Sequence, residues 1–213
     1  WSNLSAISIG AESITTDYGT FTSITYGFDK YWMLCLSRDP FRIYYCTSLN
    51  DDSTISGLGY IDLTSVEPLH DTDKTHYKED IVYGNNRIVV AGRKALISYS
   101  TNGGLTSRDW NSYFLNLQGD PRGIDYIEHS KLFIISWCGS STSAFNCSIL
   151  YTKTPENPNS WVNVVMGYQL EVWNVLYSKK FEKYVCNGSL FYSNGSWSRD
   201  GSTAKSVSYH SAF

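Results

Sequence analysis

Positive charge is neither abundant nor concentrated in this chain: Lys and Arg number 17 against 20 Asp and Glu, for a formal net charge of −3. Nucleic-acid binding wants a concentrated basic face, so that class of partner is not expected. Long apolar runs are missing too. None approaches the roughly 20 residues of a membrane-spanning helix, and insertion in a membrane is not expected. No charged segment followed by an apolar stretch marks a signal peptide. With five prolines and 17% charged residues, little is left for a long disordered tail. Five cysteines are an odd number, which fits a reduced protein better than a secreted disulfide scaffold. No apolar period of 3.6 residues persists, so helices are not expected. Aromatic residues are plentiful instead: 15%, with 17 Tyr and 7 Trp, a composition suited to half-buried pleated surfaces.

Those aromatics recur in order. A short apolar strand ending in tyrosine returns five times, as Ile24-Thr25-Tyr26, Val82-Tyr83, Ile124-Asp125-Tyr126, Leu176-Tyr177 and Val207-Ser208-Tyr209. After each of the first four comes a second β-rich run, then another strand tyrosine: Tyr45, Tyr99, Tyr151 and Tyr192. Trp110, Trp161 and Trp197 follow three of these. A self-similar unit of roughly 30–57 residues built from four short strands is the mark of a β-propeller. The expected fold is therefore all-β, a propeller of four-stranded blades in one domain or a segment of one.

The spacing predicts blades over 23–66, 80–117, 123–166 and 174–200, with 1–8 and 205–213 supplying strands of a further blade or blades. Second strands are expected at Tyr31–Leu36, Arg87–Ala91, Lys131–Cys138 and Lys183–Cys186, and third strands at Arg42–Cys46, Ala95–Ser100, Ser148–Thr152 and Ser189–Ser193. Asn187-Gly188 reads as a type I′ hairpin between two strands. Trp1 sits where the tryptophans of later repeats sit, so the chain reads as a segment of a longer protein. The cysteines fall in small-residue slots of the repeat, Cys46 matching Ser100 and Thr152, which suggests packing. Only Cys138 and Cys147 flank one hairpin closely enough to pair. The sequons at Asn3, Asn146, Asn187 and Asn194 decide nothing.

The turn after the third strand of the second blade carries a motif, Ser100-Thr101-Asn102-Gly103-Gly104-Leu105-Thr106 followed by Trp110. It resembles the Asp-box of sialidase-like propellers, Ser-x-Asp-x-Gly-x-Thr-Trp, with Asn102 in place of the aspartate and the tryptophan pushed back by Ser107-Arg108-Asp109. Shorter or divergent versions are Ser193-Asn194-Gly195-Ser196-Trp197 and the run from Thr152 to Trp161. The motif is a turn, so Ser100, Asn102, Gly103, Thr106 and Trp110 read as structural: Asn bonds nearby backbone, Gly takes a positive φ, and Trp packs on the blade. Propellers of this kind occur in sialidases, secreted glycan-handling proteins and bacteriophage tail proteins.

Catalysis of the sialidase kind needs three arginines around a carboxylate, a tyrosine nucleophile with a glutamate, and a general acid. Phe41-Arg42-Ile43 resembles the family's Phe-Arg-Ile-Pro start, but Tyr44 stands where proline belongs, and three of the seven arginines (Arg38, Arg93 and Arg108) fall in turns. No catalytic residue, cofactor or metal is assigned. The densest set of polar candidates is His70, Asp71, Asp73 and His76, in the linker between the first two blades, where loops of a propeller hold ligands. Trp32, Tyr60 and Trp173 stand among the less regular aromatics and are candidate stacking residues.

The expectation is a non-catalytic structural or binding module of a larger extracellular assembly. The resemblance makes a bacteriophage tail or host-attachment protein its most specific form, in a virion or extracellular setting. Its partners would be other subunits of the assembly and a host-surface glycan or receptor. A sialidase-like glycan hydrolase and a secreted or cell-surface eukaryotic propeller are the alternatives.

Overall fold

The computed structural model describes residues 8–9, 21–35, 42–49, 54–56, 58–63, 78–115, 117, 119–138, 146–168, 170–178, 183–190 and 207–209. Within them run β1 (Ser8–Ile9), β2 (Phe21–Gly27), β3 (Lys30–Cys35), β4 (Arg42–Cys46), β5 (Ser48–Leu49), β6 (Thr54–Ser56) and β7 (Gly59–Asp62). They continue with β8 (Lys78–Gly84), β9 (Arg87–Gly92), β10 (Leu96–Ser100) and β11 (Asn111–Phe114). Next come β12 (Asp120–Ile127), β13 (Leu132–Cys138), β14 (Asn146–Thr152) and β15 (Val162–Tyr168), then β16 (Leu170–Ser178), β17 (Lys183–Leu190) and β18 (Val207–Tyr209). Helical turns are confined, among the described residues, to three 3-10 segments: Arg93–Ala95, Ser107–Asp109 and Pro158–Ser160. No helix among these residues is long and apolar enough to cross a membrane.

The strands form three four-stranded antiparallel blades, β2-β3-β4-β7, β8-β9-β10-β11 and β12-β13-β14-β15, beside a three-stranded sheet β16-β17-β18 and a small sheet β1-β6-β5. This is the all-β architecture of propeller blades, in two compact units, Trp1–Phe114 and Leu115–Phe213. The tyrosine repeat is a repeat of register. Tyr45 lies opposite Trp32, Tyr99 opposite Val89 and Tyr151 opposite Ile134. Each inner strand also bulges just before its repeated core, between Phe21 and Ser23, Lys78 and Asp80, Pro121 and Gly123, and Val172 and Asn174. One extra residue there (Thr22, Glu79, Arg122 or Trp173) raises the local twist of the strand.

In blades one and two a two-residue turn joins the first strand to the second, with both central residues at positive φ: Phe28 (51°) and Asp29 (57°), Asn85 (45°) and Asn86 (55°). That is the twist an antiparallel hairpin wants. Asparagine adopts it readily and phenylalanine does not. The Phe28 ring packs edge-on against Tyr83 at 5.2 Å, which offsets the strain.

Two expectations for the last sheet differ from the structure. Asn187 and Gly188 do not turn. They lie inside β17, opposite Asn174 and Val172 across the bulge of β16. The nine-residue β16 offers a ladder past Asn174, so the backbone gains more hydrogen bonds by continuing than by reversing. The third position in that sheet is held by β18, with Tyr209 opposite Tyr184, so Val207–Tyr209 joins this sheet instead of opening a further blade. Ser189 belongs to β17, and the remainder of the expected third strand, 191–193, lies outside the described residues.

Each unit has its own apolar core. In the first, Trp32, Leu34, Ile43, Ile61 and Leu63 of blade one pack against Ile81, Ile88, Val90 and Trp110 of blade two. The indoles of Trp32 and Trp110 meet edge to face at 5.9 Å, and the Trp32 Nε1–H donates to the Gly27 carbonyl at 2.9 Å, so burial costs that polar group nothing. Polar links join the inner strands: Ser23 Oγ donates to Asp80 Oδ1, and the Tyr83 N–H donates to Thr25 Oγ1 at 3.0 Å. In the second unit Ile127, Leu132, Ile134 and Ile149 pack with Val175 of β16, flanked by Tyr151, Val164 and Tyr177.

Gly27 ends β2 against Tyr83 of β8, and a Cβ there would run into the ring carbons of Tyr83. Gly27→Ala is expected to destabilise the protein by about 1–3 kcal/mol through overpacking. Urea denaturation followed by tryptophan fluorescence measures it, and an unchanged midpoint would show that the blades slide freely past each other.

Candidate functional site

The Ser100–Trp110 turn is a closed hydrogen-bonded loop. Ser100 ends β10 as a buried side chain, and its hydroxyl donates to Asn102 Oδ1 at 2.9 Å. The same oxygen accepts from the Gly104 N–H at 3.0 Å. Gly103 takes φ 60°, and a Cβ there would collide with the Phe28 ring, so conformation and space both demand glycine. Trp110 is buried, and its indole N–H donates back to the Gly104 carbonyl at 3.2 Å.

The residue that sequence reasoning missed is Asp109. Its Oδ2 accepts from the Thr106 hydroxyl at 2.7 Å and from the Thr106 N–H at 3.2 Å. Its Oδ1 accepts from Asn102 Nδ2 at 3.0 Å. A carboxylate is thus present in the turn although Asn102 holds the motif's acidic position. It arrives from the far end, on the 3-10 segment Ser107–Asp109 that caps on Thr106. The signal was its place directly before the tryptophan. Blade three builds the same kind of turn from other atoms: Ser160, directly before Trp161, bonds Thr152 Oγ1 at 2.6 Å and donates to the Thr154 carbonyl at 2.8 Å.

The second feature is one face of blade one. Side chains alternate along strands, and those directly across from each other share a face. Ile24, Met33, Tyr44 and Tyr60 therefore form one row, and Tyr26, Tyr31 and Cys46 the next. Rings meet at 4.9 Å between Tyr26 and Tyr31 and at 6.3 Å between Tyr44 and Tyr60. The Arg42 guanidinium sits 4.3 Å from the centre of the Tyr60 ring, a cation–π contact. Met33 and Tyr44 are buried, whereas Tyr26 is 54% and Tyr60 53% exposed. Burial pushes the Cys46 thiol up from its ordinary value, so it stays protonated and unreactive at neutral pH.

The other candidates separate. Trp32, expected as a stacking residue, is fully buried: the alternation that turns Tyr31 and Met33 to the tyrosine face turns Trp32 to the core. Trp173 is the extra residue of the β16 bulge. His70, Asp71, Asp73 and His76 lie outside the described residues. Among the described residues no group of three or more His, Cys, Asp or Glu side chains is arranged to hold a metal ion.

Known structures resemble this chain in fold. A hydrazine synthase from Kuenenia stuttgartiensis aligns with a TM-score of 0.56 at 10% identity, over 80% of this chain and 44% of that one. The WD40 β-propeller domain of Doa1 aligns at 0.50 and 13% identity, over 84% and 52%. A Trypanosoma rangeli sialidase, solved with 2,3-difluorosialic acid as a covalent intermediate, aligns at 0.50 and 10% identity, over 90% and 37%. The chain thus spans between 37% and 52% of these proteins, and at such identities the likeness is one of fold. No protein-family model matches the chain, and no curated protein matches it.

The Asp109 turn predicts an acid response. The Thr106 hydroxyl first, and the Asn102 amide after it, hold this carboxyl below the usual carboxylate range. A carboxyl depressed on folding contributes stability that is complete above its unfolded pKa, about 3.9, and lost as pH falls through the folded value. Below pH 4 the Trp110 indole N–H is expected to exchange progressively faster in the wild type. Asp109→Asn should show the fast exchange already at pH 7 with no acid limb. Identical profiles for the two proteins by NMR would refute the role.

Proposed function

We propose that this chain is a binding and scaffolding propeller module whose ligand is held by stacking and hydrogen bonds and undergoes no covalent change. The observation that carries this reading is how four of the described carboxylates are engaged. Asp80 accepts from Ser23 and the Ile81 N–H, Asp109 from Thr106 and Asn102, Asp125 from the Tyr126 N–H, and Glu128 from Lys131. Most glycoside hydrolases need two carboxyl groups across the sugar, and the sialidase kind needs a tyrosine paired with a glutamate and a separate general acid. Of these four, Asp80 joins two strands, Asp109 and Glu128 lie in turns, and Asp125 bonds the next residue's N–H within its own strand. One face of blade one exposes Tyr26 and Tyr60 beside the Arg42 guanidinium, with Asp62 directly across from Arg42, and tyrosine offers an apolar ring with a polar tip to a flat, hydroxylated ligand.

The module belongs, in this reading, to a larger extracellular assembly. A bacteriophage tail or host-attachment protein is the form favoured by the Asp-box-like turns, with a virion as its location. Its partners are neighbouring subunits and a host-surface glycan. A sialidase-like hydrolase is the competing class, and the experiment separates the two. The chain is applied to an array of neutral and sialylated glycans and incubated in parallel with 4-methylumbelliferyl glycosides, the sialoside included. Retention of at least one glycan without release of fluorophore is expected, and Tyr60→Ala should weaken retention about tenfold, the worth of one aromatic contact. Fluorophore release, or an array with no retained glycan, would overturn the reading.

A further inference from the structure

Blade three carries two thiols on a single rung. Cys138 is the last residue of β13, Cys147 the second of β14, and the ladder sets them directly opposite each other. The Cys147 thiol donates to Cys138 Sγ across 3.3 Å. Both are buried, Cys147 completely and Cys138 to within 4%. Directly opposed residues of an antiparallel pair have Cα atoms about 4.5–5.5 Å apart, inside the roughly 4.4–6.8 Å window of disulfides. Small side-chain rotations then bring the sulfurs into bonding distance with no movement of backbone. The rung is also where the ladder loosens: β14 and β15 shift register between Cys147 and Ser148, and strand ends open before strand centres.

We propose that Cys138 and Cys147 form a reversible cross-strand disulfide, made by exchange with a low-molecular-weight disulfide of the glutathione class. Cys138 is the less covered of the two and reacts first. Its thiolate attacks one sulfur of the small disulfide, and one glutathione leaves as a thiol with a proton. The Cys147 thiolate then attacks Cys138 Sγ and expels the second glutathione thiol. Two electrons pass from the cysteine pair to the small disulfide, and the two cysteine protons leave on the two glutathione thiols. Burial confines the first attack to moments when the rung opens. The product is a staple closing a ring of about ten residues at the end of the β13–β14 hairpin. The inference rests on blade three alone and is independent of the ligand-binding role.

Its test uses the chain as it is. The protein is equilibrated in glutathione buffers, either fully reduced or with the oxidised form in large excess, quenched in acid and alkylated in denaturant. Intact mass and peptide mapping follow. In the oxidised buffer the alkylated protein should carry two fewer alkyl groups than the reduced one and be lighter by those groups and two hydrogens, one cross-linked peptide pair should join Cys138 to Cys147, and Cys35, Cys46 and Cys186 should remain alkylated. The Tm should rise by about 5–10 °C, and reduced glutathione should reverse both changes. Cys138→Ser and Cys147→Ser should abolish the mass change. Should either variant fail to fold, the wild-type peptide map decides by itself. Both cysteines alkylated in the oxidised buffer, a glutathione adduct that does not close, or pairing of either cysteine with another partner would each overturn the proposal.

Discussion

A blade with two apolar faces cannot stand alone in water, and the burial of one blade against the next is the constraint on which the other features rest. Every residue of β13 is buried, and all of β9 after Arg87. A strand covered on both sides loses the usual alternation of apolar and polar residues and becomes a continuous apolar run. Each large aliphatic side chain so covered contributes about 1.5–3 kcal/mol. The dependence shows within each unit. Ile81 and Val175 are buried beside a neighbouring sheet, and Ile24, at the same step of the repeat, is 42% exposed.

That constraint dictates where polar atoms go. With strands closed to water, hydrogen-bonding side chains bridge the inner strands, as Ser23 and Asp80 do, pair within a blade, as Ser112 and Ser98 do, or gather in the turns at the blade ends. The Ser100–Trp110 loop belongs to the last kind. It fastens the buried Trp110 by its indole N–H while Asp109 ties the two arms of the loop together. Among the described residues Tyr26 and Tyr60 are exposed, and binding residues in general sit on loops and exposed faces and not in packed strands.

Much of the fold was legible because a doubly buried strand leaves a strong trace. Arg42–Cys46 is read to the residue, and the second strands of blades two and three to within one. The repeated tyrosines carry register because ring size and strand position go together. The candidate site was less legible. Asp109 escaped because its partners stand three and seven residues away and are met only when the loop closes. Trp32 was misplaced for want of one bit of information, the face on which an alternating strand turns each side chain.

Asn187-Gly188 marks the boundary between the two kinds of knowledge. The inner strands and the order of the repeat were legible in the chain, because they follow from local sterics and from runs of apolar side chains. Whether Asn-Gly turned or ran on depended on the length of β16 beside it. Whether Trp32 met solvent depended on blade two, and whether two cysteines nine residues apart met depended on the rung where β13 and β14 pair. Those outcomes belong to the tertiary structure, because each is set by the free energy of contacts between segments distant in the chain or brought together only by pairing.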